Sequence, residues 1–125
     1  MGDQTKYVIN SHTRYGPLQK IDIITLEGAC SEKWSNQTLC QVNDSVVRLG
    51  IMEGNFHWHN HEKEDEFFFV VSGRLYIDLK KEDRTIELRP GQAIVIPSGV
   101  NHRSRAPRRT VVLLVETDTV TPTGD

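Results

Sequence analysis

Three histidines alternate in the segment NFHWHNH, at positions 57, 59 and 61. Side chains two residues apart on an extended strand project from the same face, so His57, His59 and His61 could converge on one ion. A divalent metal bound by imidazole also takes oxygen donors, and Glu66 opens the next apolar segment after the short polar stretch Glu62 to Asp65. A hairpin there would return Glu66 to the histidines. His102 is a further ligand candidate. It follows GQAIVIPSGVN, where Pro97 and Gly99 shape its approach, and its reach to the others depends on the fold. His12 stands apart and reads as an ordinary surface or hydrogen-bonded histidine.

The elements that must position these groups are strands. From about residue 37 onward, short apolar segments are broken every few residues by Gly, Pro, Asn or Asp, the punctuation of an antiparallel β protein. Thr38 to Val42 and Ser45 to Met52 flank Asn43 and Asp44, which tolerate the left-handed backbone of a tight hairpin. Arg74 to Lys80 alternates, with Leu75, Ile77 and Leu79 on one face and Tyr76 and Asp78 on the other. The polar stretch Lys81 to Arg84 then turns the chain into Thr85 to Leu88. Arg89-Pro90-Gly91-Gln92 fits a type II turn. Continuous apolar runs at Phe67 to Val71, Ala93 to Ile96 and Val111 to Val115 are expected to be covered on both faces, as in a sandwich or closed barrel. Leu18 to Leu26 fits either a short helix or an edge strand. The fold class is all-β with room for one short N-terminal helix. A single domain is expected, with 1–36 an extension packing on a barrel of 37–117 and 118–125 a flexible tail.

In their order and spacing these residues resemble the cupin family. His59-x-His61, four residues, Glu66, six residues and Gly73 match the first cupin motif, although Gly54 stands one residue closer to His59 than the family's opening glycine. Gly91, five residues, Pro97-x-Gly99, two residues and His102 match the second, with Ala106 in place of its final Asn. The likeness spans roughly 37–117, and WHNHEKEDEFFFVVSG is similar to small single-domain cupins labelled mannose-6-phosphate isomerase-like, a label of similarity and not of activity. The resemblance implies a double-stranded β-helix, a jelly-roll-like barrel. It also implies one divalent transition metal (iron, manganese, nickel, zinc or copper) on His59, His61, Glu66 and His102, and a homodimer. A motif begun at His57 would need its glycine at Val71, so only the register from His59 closes. That leaves His57 on the ligand face, either contacting substrate or simply lining the barrel.

His57, Tyr76 and Arg48 are the candidates for catalytic roles, the last because an inward guanidinium could grip a carboxylate or phosphate. Phe56 and Trp58 are expected to point away from the histidines, toward packing or a dimer partner, and Asp65 could orient a ligand histidine. Arg103, Arg105, Arg108 and Arg109 read as a solvated basic face. Lys and Arg total 15 against 17 for Asp and Glu, a balance that gives no field for nucleic acid or an anionic membrane and leaves a small-molecule ligand as the partner. The start MGDQTKYVIN lacks the pattern of a secretion signal and no apolar run is long enough to span a membrane, so a cytoplasmic protein with reduced Cys30 and Cys40 is expected. Four protein ligands on an ion that prefers six leave two positions open. The leading reading is a metal-dependent isomerase, decarboxylase or dioxygenase acting on a small polar metabolite such as a sugar or organic acid. The alternative is a non-catalytic module that uses the metal to hold its ligand.

Overall fold

The computed structural model describes residues 7–120. Eight strands and one helix follow in the order β1 (Tyr7–Asn10), α1 (Ile23–Ala29), β2 (Trp34–Val42), β3 (Ser45–Asn55), β4 (Glu66–Ser72), β5 (Leu75–Leu79), β6 (Arg84–Leu88), β7 (Ala93–Ile96) and β8 (His102–Thr117). The hairpins fall where the turn residues demand them. Asn43 between β2 and β3 and Asp83 between β5 and β6 both take positive φ, and the Gln92 N–H donates to the Arg89 carbonyl at 2.9 Å across Gly91. Gly73, at φ +86°, allows a closer approach still: a Cβ there would run into Thr110 Oγ1 and lie 2.6 Å from the Arg109 carbonyl.

The long strand β8 organises the barrel. Its first part pairs with β5, Leu79 opposite His102, while its second part lies between β3 and β4, with Val115 opposite both Val47 and Phe67. Strand β7 adds to β4, and β1 pairs in parallel with β2 at the other edge. The result is the double-stranded β-helix expected from the sequence.

Strand parity separates two cores. Trp34, Met52, Phe68, Val112 and Leu114 fill the barrel together with residues of β5 to β7. Leu39, Leu49, Ile51 and Val111 face outward and pack under Leu26 of α1. This second layer is why Val111 to Val115 reads as an unbroken apolar run. Asp22 caps the start of α1 by accepting from the Thr25 N–H, and Arg109 Nη2 closes its end by donating to the carbonyls of Glu27 at 2.6 Å and Cys30 at 2.8 Å. Cys30 and Cys40 are free and half-buried around this layer.

Of the two readings of Leu18 to Leu26 the helix holds, since its end enters α1, and the edge strand is the unanticipated β1. Two expectations change. Strand β7 is covered on one face only, with Val95 exposed, because no element packs outside it. Val120 does not belong to a loose tail: it is buried, and its carbonyl accepts from Arg48 Nη2 at 3.1 Å; 121–125 lie outside the described residues. Among the described residues no helix is long and apolar enough to cross a membrane.

Candidate metal centre

Strand β3 ends at Asn55, and the chain from Phe56 to Trp58 runs free of regular pairing before His59 and His102 form an isolated antiparallel bridge. Their N–H groups and carbonyls exchange hydrogen bonds, each 3.0 Å. A second clamp joins the two motif segments at the other side, where the Gly99 N–H donates to the His61 carbonyl at 2.8 Å and the Ser98 N–H to Asp65 Oδ1 at 3.0 Å. Asp65 therefore fixes the second loop and does not orient a histidine. Glu66 enters from the first residue of β4, with its side chain turned into the barrel.

These elements gather the four side chains. His59, His61 and Glu66 bring ligand atoms within 4.8 Å of one another. His102 stands beside that trio, its ring centroid 4.4 Å from that of His59 and its Nε2 3.3 Å from Glu66 Oε1. His61 Nε2 lies 3.6 Å from Glu66 Oε2. His61, Glu66 and His102 are at most 3% exposed.

The proton arrangement suits a cation. Carbonyl oxygens only accept, so His59 donates through Nδ1 to the His57 carbonyl at 3.2 Å, and His102 through Nδ1 to that of Val100 at 2.9 Å. In the neutral ring the other nitrogen, Nε2, then carries a lone pair. His102 Nε2 and Glu66 Oε1 are buried without a hydrogen-bond partner among the described residues. Burial, followed by the nearby His102, pushes His59 down to about 4 and keeps it neutral. Burial alone would raise the Glu66 carboxyl, yet His102 and His61 outweigh it and hold the group well below its usual range. A neutral imidazole such as His59 beside an ionised carboxylate is the protonation state in which such donors bind a metal, and the three imidazoles with one carboxylate fit a borderline divalent transition ion.

The model of the cupin domain matches residues 46–117. The chain belongs to the cupin family. This cupin is 37% identical over 95 residues to the uncharacterised protein YdbB of Bacillus subtilis, covering 76% of this chain and 83% of that one. It is 30% identical over 84 residues to the acireductone dioxygenase of the same species, covering 65% of this chain and only 44% of that enzyme. A cupin-2 domain protein of Shewanella frigidimarina superposes with a TM-score of 0.73 at 32% identity, covering 78% of this chain and 93% of that one.

The remaining candidates of the cupin fall elsewhere. His57 is exposed, its ring stacked on Phe56 at 4.1 Å, because the chain has left the strand and alternation no longer holds; it serves the site through its carbonyl. Phe56 correspondingly turns inward, edge-on to His59 at 5.2 Å, and only Trp58 points out, under Arg103 at 4.9 Å. Tyr76 lies on the outer wall, donating to Glu87 Oε2 at 3.1 Å, with Arg105 over its ring. Arg48 is inward but behind the site, with Nη1 3.4 Å from Glu116 Oε1. Glu116, which sequence reasoning passed over, is buried and lies against Glu66; burial foremost, then the Glu66 charge, raises it. The signal was present, since Val112, Leu114 and Glu116 share the inward parity of β8.

Proposed function

We propose that this cupin is a mononuclear metal-dependent enzyme in which His59, His61, Glu66 and His102 hold one divalent transition ion. The observation that carries the reading is the shared arrangement of His59 and His102. Each donates Nδ1–H to a backbone carbonyl, which leaves Nε2 as a lone-pair donor beside an ionised Glu66. A bound ion would supply Lewis-acid polarisation of a chelating oxygen substrate or, if redox-active, activation of dioxygen. The chain's own part is to fix the donors, keep His59 neutral and Glu66 ionised, and bury the site. The resemblance to acireductone dioxygenase supports the oxygenase branch, and isomerase and decarboxylase chemistry use the same open positions.

One observation favours catalysis over mere capture. Tyr7 of β1 lines the cavity that touches His59 and Glu66, and among the described lining residues it is the titratable group outside the ligand set. A phenol placed there can hold or move a proton on a bound ligand. The binding-module reading gains from the outward positions of His57 and Tyr76, and it requires nothing of Tyr7.

Elemental analysis of the purified protein beside His102→Ala and His61→Ala tests the metal centre. About one ion per chain in the native protein and a loss of most of it in both variants is expected. Negligible metal in native protein reconstituted with iron, manganese, nickel, zinc or copper would overturn the reading.

A further inference from the structure

The cavity beside the candidate metal centre is apolar. It holds about 40 Å³ of free space, room for about three waters or a few heavy atoms of a ligand. Its walls are Trp34, Met52, Phe56, Phe68 and Leu114, joined by Tyr7 of β1. Tyr7, Trp34 and Phe56 pack into one aromatic group, with ring centroids 4.8 to 5.8 Å apart. Polar atoms on this lining are few: the Tyr7 hydroxyl, the side chains of Ser35, Asn36 and Ser104, the Trp34 N–H, and the ligand residues His59 and Glu66 themselves.

A sugar bears a hydroxyl on nearly every carbon, and each hydroxyl buried against Met52, Phe68 or Leu114 would lose its water without gaining a partner. A ligand with oxygen atoms only at its chelating end and hydrocarbon beyond them meets no such penalty and gains by covering apolar wall. We propose that the substrate is a small chelating acid or enol carrying a short alkyl or aryl group, the oxygens directed to the metal and the apolar group seated between Trp34, Phe56, Phe68 and Leu114. The inference rests on the metal-centre reading and narrows it, dropping the sugar from the substrates compatible with the sequence.

Calorimetric titration of the metal-loaded protein with two acids that share a 2-hydroxycarboxylate head, 2-hydroxyisocaproate and glycerate, tests it without needing turnover. The branched acid should bind at least about tenfold more tightly. Phe56→Asn should bring the ratio to within about threefold while metal content is retained. Should that variant fold poorly, Met52→Gln serves in its place. Equal affinity, a preference for glycerate, or no binding of either acid to metal-loaded protein overturns the substrate class and leaves the metal centre standing. Failure to load metal is the separate result that would remove the reading beneath it.

Discussion

Asp78 and Glu116 are both buried carboxylates met by arginine across neighbouring strands, one on the outer wall of the barrel and one inside it. On the outer wall Asp78 accepts from Arg105 Nε at 2.6 Å, Arg105 Nη2 at 3.1 Å, Arg103 Nη2 at 2.9 Å and Thr85 Oγ1 at 2.7 Å. Arg105 foremost holds it below the usual carboxylate range. Inside, Glu116 has one guanidinium nitrogen at 3.4 Å and a second carboxylate, Glu66, beside it, and it is pushed the other way. An arginine neighbour does not by itself decide a carboxyl's state. Donor count, water and the next charge do.

The largest expected difference comes from removing the cation on each side. Arg48→Met leaves the buried Glu116 carboxyl beside Glu66 without its facing donor and should cost about 2 kcal/mol of unfolding free energy, the penalty of an unsatisfied buried polar group. The double variant Arg48→Met with Glu116→Leu should recover most of that, since apolar replacement of a buried pair is often neutral. On the outside, Arg103→Met leaves Arg105 on Asp78 and should cost under about 1 kcal/mol. Urea unfolding checks all three. An Arg48→Met loss no larger than the Arg103→Met loss would mean that the interior pair carries no special burden.

A second contrast concerns the metal centre. Glu116 lies against a ligand, whereas Asp78 is on the far side of the wall although its neighbour Leu79 pairs with His102. Glu116→Leu, which removes the polar contact with Glu66, should weaken metal affinity about tenfold, the lower end of the range for groups that support ligands. Asp78→Asn should leave it unchanged. Competition with a chromogenic chelator reads both, and an equal effect would show that the strand, not the carboxylate contact, transmits the change.

These two regions also mark how far the sequence could be read. Each cupin motif lies at local spacings, so the grouping of His59, His61 and Glu66, the hairpin at Asn43 and the turn at Gly91 were legible from short windows, whereas His102 joins them only through its long-range pairings with His59 and Leu79. His57 and Phe56 were misplaced because period-two reasoning assumes a strand, and β3 stops at Asn55. The four-residue β1 has no pattern long enough to announce itself and exists by pairing with β2. The Asp78 cluster joins residues 25 and 27 positions apart, and Arg103 and Arg105 looked like a solvated basic face because only the β5–β8 register brings them to one acid. Glu116 sat at a readable parity, but its meaning depends on Glu66 arriving from β4.

The smallest effect is the most discriminating in pH. Asp78 has a lowered folded-state value, so its contribution to stability is present above the unfolded value near 3.8 and is lost as pH falls below it toward the folded value. At pH 7, Asp78→Asn should cost about 1 kcal/mol, discounted because both arginines remain partly exposed to solvent, and Thr85→Val about 0.5 kcal/mol for one neutral donor lost. Between pH 5 and pH 2 the gap between native and Asp78→Asn protein should close steadily, because the unfolded native chain takes up a proton that the folded chain refuses. Urea midpoints at several pH values measure that gap. A constant gap across the range would mean that Asp78 stabilises by shape and not by charge, and the contrast with Glu116 would then lie in packing alone.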